Sequence, residues 1–151
     1  MPRLSLSIDH FERPLIDVEV KPSLVQQQLL YQHPPNTVPT VVLTFLVDTG
    51  STHCAIDESL IAGWHLPAAR PKLVRGAQQV TTVVGNEYDL SLRLHRGKNS
   101  PSWFHGCVSV TTIPHERFAD QRFQGLIGVD LLRLGNLAFD GPAARYELSW
   151  R

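Results

Sequence analysis

The sequence has little of what would mark several other classes of protein. Its two cysteines, Cys54 and Cys107, lie far apart, so they do not build the disulfide framework of a small secreted domain. It has no Cys-x-x-Cys or His-x-x-x-His pair, which removes the common zinc sites. Cys54 also lacks the neighbouring His-plus-Asn signature of a cysteine nucleophile. We therefore expect reduced thiols, no metal and no cofactor.

Charge and hydropathy exclude two further classes. Fourteen Lys and Arg residues balance fourteen Asp and Glu residues, and because the two signs are interspersed there is no basic footprint for nucleic acid. No apolar run approaches the length of a membrane span, and Met1–Ser5 is not an apolar secretory segment. We expect one cytoplasmic domain over residues 1–151, with neither nucleic acid nor membrane as a partner.

The most informative segment is an apolar strand that ends in a carboxylate. Val41–Val47 is β-branched and apolar almost throughout, which predicts a strand covered on both faces, and Asp48 follows it at once. A carboxylate there is costly unless it is hydrogen-bonded, paired or protonated. The next residues, Thr-Gly-Ser-Thr, offer hydroxyl donors and a glycine that lets another backbone approach. The same letters also suit an ordinary turn.

A second motif lies far downstream. Phe123–Leu132 is a short apolar segment with glycines at positions 125 and 128, and a short helix is predicted over Asp130–Leu134. In this order the two motifs resemble those of the retropepsin-like aspartic proteases. The matching pieces are Leu46–Ser51, Leu126–Leu132 and a closing strand pair near 136–140 and 145–150, so the resemblance covers roughly Leu15 to the C-terminus.

The resemblance implies a mainly β chain, folded as a retropepsin-like closed β-barrel with one or two short helices and acting as half of a pepsin-like dimer. Compared with a minimal member of that family, residues 21–39 form an insertion, which we expect to be a short helix and a surface loop. The sequence has a single Asp-Thr-Gly. The implied activity is therefore that of a homodimeric aspartic endopeptidase, which hydrolyses a peptide or protein substrate with one aspartate from each copy.

The resemblance also assigns roles at the matching positions. Asp48 is the expected catalytic carboxylate, Thr49 the hydroxyl of an inter-subunit network, Gly50 the close approach, and Ser51 the donor to the outer carboxylate oxygen. Thr52 either supports this loop or is an ordinary turn residue. Leu126, Ile127 and Gly128 support the loop from the second motif. His53 is expected to be a structural hydrogen-bonding residue rather than a pH switch.

A flap hairpin is expected between the motifs, over residues 72–84. The candidate residues that contact substrate there are Arg75, Gly76, Ala77 and Gln78, with Gly76 near the tip. The basic cluster formed by Arg70, Lys72 and Arg75 reads either as a solvated face or as a preference for acidic substrate side chains.

The rest of the sequence predicts short strands separated by turns. Strands are expected over 15–20, 88–94 and 102–112, and a short helix from Asp57 or Glu58 to Trp64. Two other functions stay open. One is a retropepsin-fold module that binds extended peptides or dimerises without cleaving. The other is the phosphate-contacting Asp-x-Gly-Ser loop of actin-like and sugar kinases, whose folds need a longer chain.

Overall fold

Strands dominate the computed structural model, which describes residues 1–31, 37–74 and 83–151. The strands are β1 (Arg3–Ser5), β2 (Ser7–Ile8), β3 (Pro14–Pro22), β4 (Val41–Val47), β5 (Cys54–Asp57), β6 (Arg70–Val74), β7 (Val83–His95), β8 (Trp103–Ile113), β9 (Gly125–Ile127), β10 (Asn136–Asp140) and β11 (Arg145–Ser149). The helices are α1 (Leu24–Leu30) and α2 (Val129–Leu132), with 3₁₀ turns at Glu58–Leu60, Ala62–Trp64 and His115–Arg117.

Six of the strands close into a barrel. Their order is β3, β4, β9, β5, β8 and β7, and β7 pairs back onto β3 along six residue pairs. Strands β2 and β6 extend the same sheet beyond the barrel, and β1, β11 and β10 form a separate antiparallel sheet. The predicted fold class, a mainly β closed barrel with few short helices, is confirmed.

The barrel core forms because apolar and polar residues alternate along its strands. In β3, Val18 and Val20 are fully buried, whereas Asp17, directly before Val18, is exposed. In β4, Leu43, Phe45 and Val47 point into the core, but Val42 is 56% exposed. The prediction that β4 is covered on both faces is wrong at Val42, on the face that looks out of the barrel. Further along the same face Leu46 is partly buried, because it packs against a small cluster of Leu15, Phe118 and Phe123.

Strands were predicted more accurately than helices. The strands expected at 15–20, 88–94 and 102–112 are confirmed as parts of β3, β7 and β8. The helix expected over 57–64 is wrong: β5 runs to Asp57, whose side chain accepts a hydrogen bond from the Ser59 amide and starts the first of two 3₁₀ turns. The helix expected at 130–134 is α2, which begins at residue 129 and ends at residue 132.

The insertion begins with α1. Ser23 and Gln26 cap this helix reciprocally, each side chain bonding the other residue's amide. Residues 32–36 of the insertion lie outside the described residues. Of the helices that the structure describes, none is long and apolar enough to cross a membrane.

Glycine at position 125 is required by packing. A Cβ built there would overlap the ring of Phe45, which is fully buried in the facing strand β4. We expect Gly125→Ala to destabilise the fold by about 1–3 kcal/mol, because an overpacked core must shift side chains or backbone. Urea unfolding followed by tryptophan fluorescence measures the loss.

Gly63→Ala is the matched control, because a Cβ at Gly63 meets no atom within 4 Å. Its stability should stay close to that of the wild type. Equal stability of the two variants would contradict the packing argument for Gly125.

Candidate active site

The loop that carries Asp48 crosses the end of β9. Strand β9 pairs in parallel with β4 before the loop and antiparallel with β5 after it. The Asp48 amide continues the first pairing by donating to the Ile127 carbonyl at 3.0 Å. The second motif therefore lies between the two strands that hold the loop, and the sequence expectation that Leu126–Gly128 supports Asp48 agrees with this placement.

The Asp48 carboxylate is held by its own loop. Its Oδ1 accepts a hydrogen bond from the Gly50 amide at 2.8 Å, and its carbonyl accepts one from the Ser51 amide at 3.2 Å. Asp48 is half-buried in the single chain, while Thr49 and Gly50 are exposed. The carboxylate is thus oriented while it stays partly exposed to solvent.

The Ser51 hydroxyl has a different partner from the one expected. It donates to the His53 carbonyl at 2.7 Å, not to Asp48, so it locks the turn that leads into β5. The backbone of His53 also lies so close to Gly128 that a Cβ at position 128 would overlap the His53 backbone. Helix α2 completes the support, because the Val129 amide donates to the Ser51 carbonyl at 2.8 Å.

Asp130 connects α2 to the strand after the loop, a role that the sequence did not indicate. Its carboxylate accepts the Cys54 amide at 3.1 Å and the Cys54 thiol at 3.2 Å. The ring of His53 lies 3.9 Å from the same carboxylate, which is too far for a hydrogen bond, so the structural hydrogen bond expected of this ring stays a prediction. Burial, and then the negative charge of Asp130, raise the pKa of the Cys54 thiol, which makes this cysteine a poor nucleophile.

A cavity of about 570 Å³ opens beside the Asp48 loop. Residues that line it are Asp48, Gly50, Ser51, Thr52, His53, Cys54, Ala55, Lys72, Leu73, Val74, Thr111, Ile113 and Leu126. Of these described lining residues, Asp48 is the one acid. Most of the others are apolar or carry a hydroxyl, as expected for a cleft that binds an uncharged chain.

One wall of this cleft is formed by β6, which ion pairs hold to the neighbouring strand β7. Glu87 of β7 is 5% exposed and binds Arg70 at 3.1 Å and Lys72 at 3.2 Å, both on the neighbouring strand β6. A hydrogen bond from the Ser109 side chain and these two cations lower the pKa of Glu87 to about 2, against the opposing effect of burial. Arg70 and Lys72 therefore fasten β6 to the barrel, although the Arg70 side chain stays 72% exposed to solvent.

Strand β6 leads into the segment that was expected to form the flap. The candidate residues Arg75, Gly76, Ala77 and Gln78 lie outside the described residues. The described neighbours on either side, Lys72–Val74 and Val83–Gly85, pair antiparallel.

Away from the Asp48 loop, a serine, a histidine and an aspartate are bonded in a way that suits a structural role. The buried carboxylate of Asp57 accepts from the Ser59 hydroxyl at 2.7 Å and contacts His115 Nδ1 at 2.5 Å. Burial acts to raise the pKa of Asp57, but the bonds from His115 and Ser59 outweigh it, and the pKa is lowered. The Ser59 hydroxyl donates to the aspartate and lies 3.5 Å from the same Nδ1 that contacts the aspartate. In a catalytic triad the aspartate and the serine bond different nitrogens of the histidine, so this arrangement is not one.

The sequence comparison shows the family, and the structural comparison shows the fold. The chain matches the family model described as aspartyl protease over residues 37–131. No curated protein shows significant sequence similarity to it. A retropepsin-like aspartic protease from Rickettsia conorii superimposes with a TM-score of 0.53 and 15% identity, covering 99% of this chain and 91% of its own. At that identity the likeness concerns the fold, and this fold does not suit the actin-like interpretation of the Asp48 loop.

Glu87 should make the free energy of unfolding depend on pH in the acidic range. Its pKa is about 2 in the folded chain and 4.5 ordinarily, so its contribution is complete above pH 4.5 and is lost as the pH falls towards 2. The full effect is on the order of 3 kcal/mol. Urea unfolding at pH values between 2 and 6 should show this loss in the wild type and a smaller one in Glu87→Gln.

Glu12→Gln is the matched control, because Glu12 is exposed and should leave the acid dependence as it is. Identical pH profiles for Glu87→Gln and the wild type would contradict the assigned ion pairs.

Proposed function

This chain belongs to the aspartyl protease family, and we propose that two copies of it form an endopeptidase that cleaves peptide bonds with a pair of Asp48 side chains. The observation that carries the proposal is that Asp48 is the one carboxylic acid among the described residues that line the cleft. Peptide hydrolysis without a metal or covalent intermediate needs both a base and an acid, and two carboxylates that share one proton supply both. One chain therefore offers half of such a carboxylate pair.

The surface around Asp48 suits a second copy. Thr49 and Gly50 are exposed at the tip of the loop. Beside them, α2 and the residues after it expose apolar side chains, with Val129 41% and Leu134 58% accessible. A two-fold axis through this surface would bring the two Asp48 loops together and cover these groups in the same step, because such an interface joins identical patches.

The proposed chemistry starts with two carboxylates that share one proton. Like charges this close do not both ionise, so one Asp48 is the base and the other is the acid. The base takes a proton from water while the water oxygen attacks the carbonyl carbon of the substrate. The acid gives its proton to the carbonyl oxygen, which produces a neutral tetrahedral intermediate.

The second step reverses these roles. The carboxyl group that received the proton from water now transfers it to the amide nitrogen, and the other carboxylate takes a proton from the intermediate as the C–N bond breaks. The products are a carboxylic acid and an amine, and the pair again holds one proton. In each chain the Gly50 amide keeps Oδ1 of Asp48 oriented throughout.

A second function agrees with one feature of the same cleft. Strand β6 is an edge of the sheet, and its Leu73 is 72% exposed. An extended peptide can add to such an edge through backbone hydrogen bonds alone. The alternative is thus a retropepsin-fold module that binds peptides or dimerises without cleaving them.

Asp48→Asn separates the two functions. We expect cleavage of a peptide library to fall by at least about a thousandfold, because the amide cannot act as the base. In the wild type, activity should rise with the dimer fraction and follow a bell-shaped pH profile, since the pair works with one proton. Sedimentation equilibrium and cleavage assays on the same dilution series measure both quantities.

Asp17→Asn is the matched control, because Asp17 is exposed on the outside of β3. It should leave both cleavage and dimerisation unchanged. Cleavage that persists in Asp48→Asn, or that does not depend on concentration when the chain is monomeric, would exclude the shared pair. Binding without cleavage in the wild type would favour the binding module.

A further inference from the structure

One hydroxyl in the cleft is buried without a partner. Thr111, near the end of β8, is 4% exposed, and its Oγ1 forms no hydrogen bond with any residue that the structure describes. Buried hydroxyl groups are normally bonded, because an unpaired one loses its bonds to water and gains none in return. Thr111 also lines the cavity beside Asp48.

The neighbouring threonine makes the contrast clear. Thr112 is also buried, but its Oγ1 accepts from the Asn86 amide at 2.9 Å and donates to the Asn86 carbonyl at 3.2 Å. Side chains of adjacent residues in a strand point to opposite faces of the sheet. The Thr112 side chain bonds the neighbouring strand on one face, and the Thr111 side chain lies on the other face, which borders the cleft. The unpaired hydroxyl is therefore a feature of the cleft side.

Thr111 lies opposite an ion-paired glutamate on this wall. It lies directly across from Glu87 on β7, and Glu87 binds Arg70 and Lys72. One carboxylate with two cations leaves an excess of positive charge. Lys72 lines the cavity too, and its ammonium group has three N–H donors, one of which bonds Glu87. On the other side Thr111 pairs with Ala55, whose small side chain leaves room in the cavity.

We propose that Thr111 and Lys72 form a specificity subsite for a substrate side chain with an acceptor oxygen, a carboxamide or carboxylate such as that of glutamine or glutamate. The proposal rests on the proposed function, in that the ligand is a peptide lying beside Asp48. The Thr111 hydroxyl donates to the oxygen of the side chain, and Lys72 donates a second bond or pairs with its charge. The bound side chain satisfies the hydroxyl, which has no partner among the residues that the structure describes.

Two-fold symmetry gives the subsite a recognisable signature. In a homodimer each copy would contribute one such wall, so the preference should occur at two substrate positions, one on each side of the cleaved bond. The oxygen, and not the length of the side chain, should determine the preference, so methionine at the same position should be a poor replacement for glutamine.

The experiment uses peptides in which each position in turn carries Gln, Glu, Met or Leu. Cleavage by the wild type and binding to Asp48→Asn are both measured, the latter by fluorescence anisotropy. Thr111→Val, which keeps the shape and removes the hydroxyl, should reduce the preference for Gln over Met by about three- to tenfold at the selective positions, as expected for one neutral hydrogen bond. Thr111→Ser should largely restore it.

Thr112→Val and Lys72→Met complete the design. Thr112→Val removes a hydroxyl from the same strand on the opposite face, so it should leave the ratio of Gln to Met unchanged. Lys72→Met should reduce the preference for Glu more than that for Gln, because an ammonium group pairs with a charge more strongly than with an amide. This arm distinguishes the carboxylate from the carboxamide as the main ligand.

Thermal unfolding checks that the hydroxyl is unpaired in the free protein. Thr111→Val should raise Tm by about 2–4 °C, since an unbonded polar group is replaced by an apolar one of equal shape. A lower Tm would overturn the proposal, because it would mean that the hydroxyl already has a partner.

The outcomes separate this inference from the proposed function. If the wild type cleaves peptides and Thr111→Val leaves the ratio of Gln to Met unchanged, the subsite is wrong and the endopeptidase stands. If no peptide is cleaved, but Asp48→Asn and the wild type bind Gln peptides over Met peptides and Thr111→Val abolishes that difference, the endopeptidase is wrong and the subsite stands.

Discussion

Strand β9 lies between β4 and β5, and the geometry of the cleft depends on this pairing. Its bonds to both strands fix the two ends of the loop that carries Asp48. A central strand has little free space on either side, and glycines meet this constraint: Gly125 of β9 lies against the Phe45 ring, and Gly128, directly after β9, lies against the backbone of His53. The same residues that close the barrel therefore place the carboxylate, so fold and site are not separable here.

The charges near the cleft have structural partners. Asp130 bonds the amide and thiol of Cys54, and Glu87 fastens β6 to β7 through Arg70 and Lys72. Buried charges without partners would be costly, so such pairing is what stability requires. Against this background the unpaired hydroxyl of Thr111 is an exception. Exceptions of this kind in a cleft are where binding can recover free energy that the free protein lacks.

Local patterns in the sequence pointed to the segments that form the candidate site. Asp48 was identifiable because an apolar strand runs directly into Asp-Thr-Gly, and Leu126–Gly128 because two glycines interrupt a second apolar run. The partner of the Ser51 hydroxyl was predicted wrongly, since the loop turns it towards the His53 carbonyl. The helix expected after Asp57 failed for a similar reason, because a side-chain cap closed a tighter turn. In both cases short-range hydrogen-bond geometry decided between alternatives that composition leaves equal.

The sequence by itself determined most of the strand content and the position of the candidate catalytic acid, because alternating apolar residues and turn glycines act over a few neighbours. These patterns left a barrel and a sandwich open, and the family resemblance implied the barrel. Only the tertiary structure decided which distant groups meet. Asp130 reaches Cys54 across 76 residues, and Thr111 faces Glu87 because β7 and β8 pair in one particular register. Those contacts depend on barrel closure, in which a shift of one residue would turn each side chain to the other face. The arrangement of side chains on the cleft wall therefore depends on the closed barrel, whereas the position of Asp48 directly after β4 follows from the local sequence.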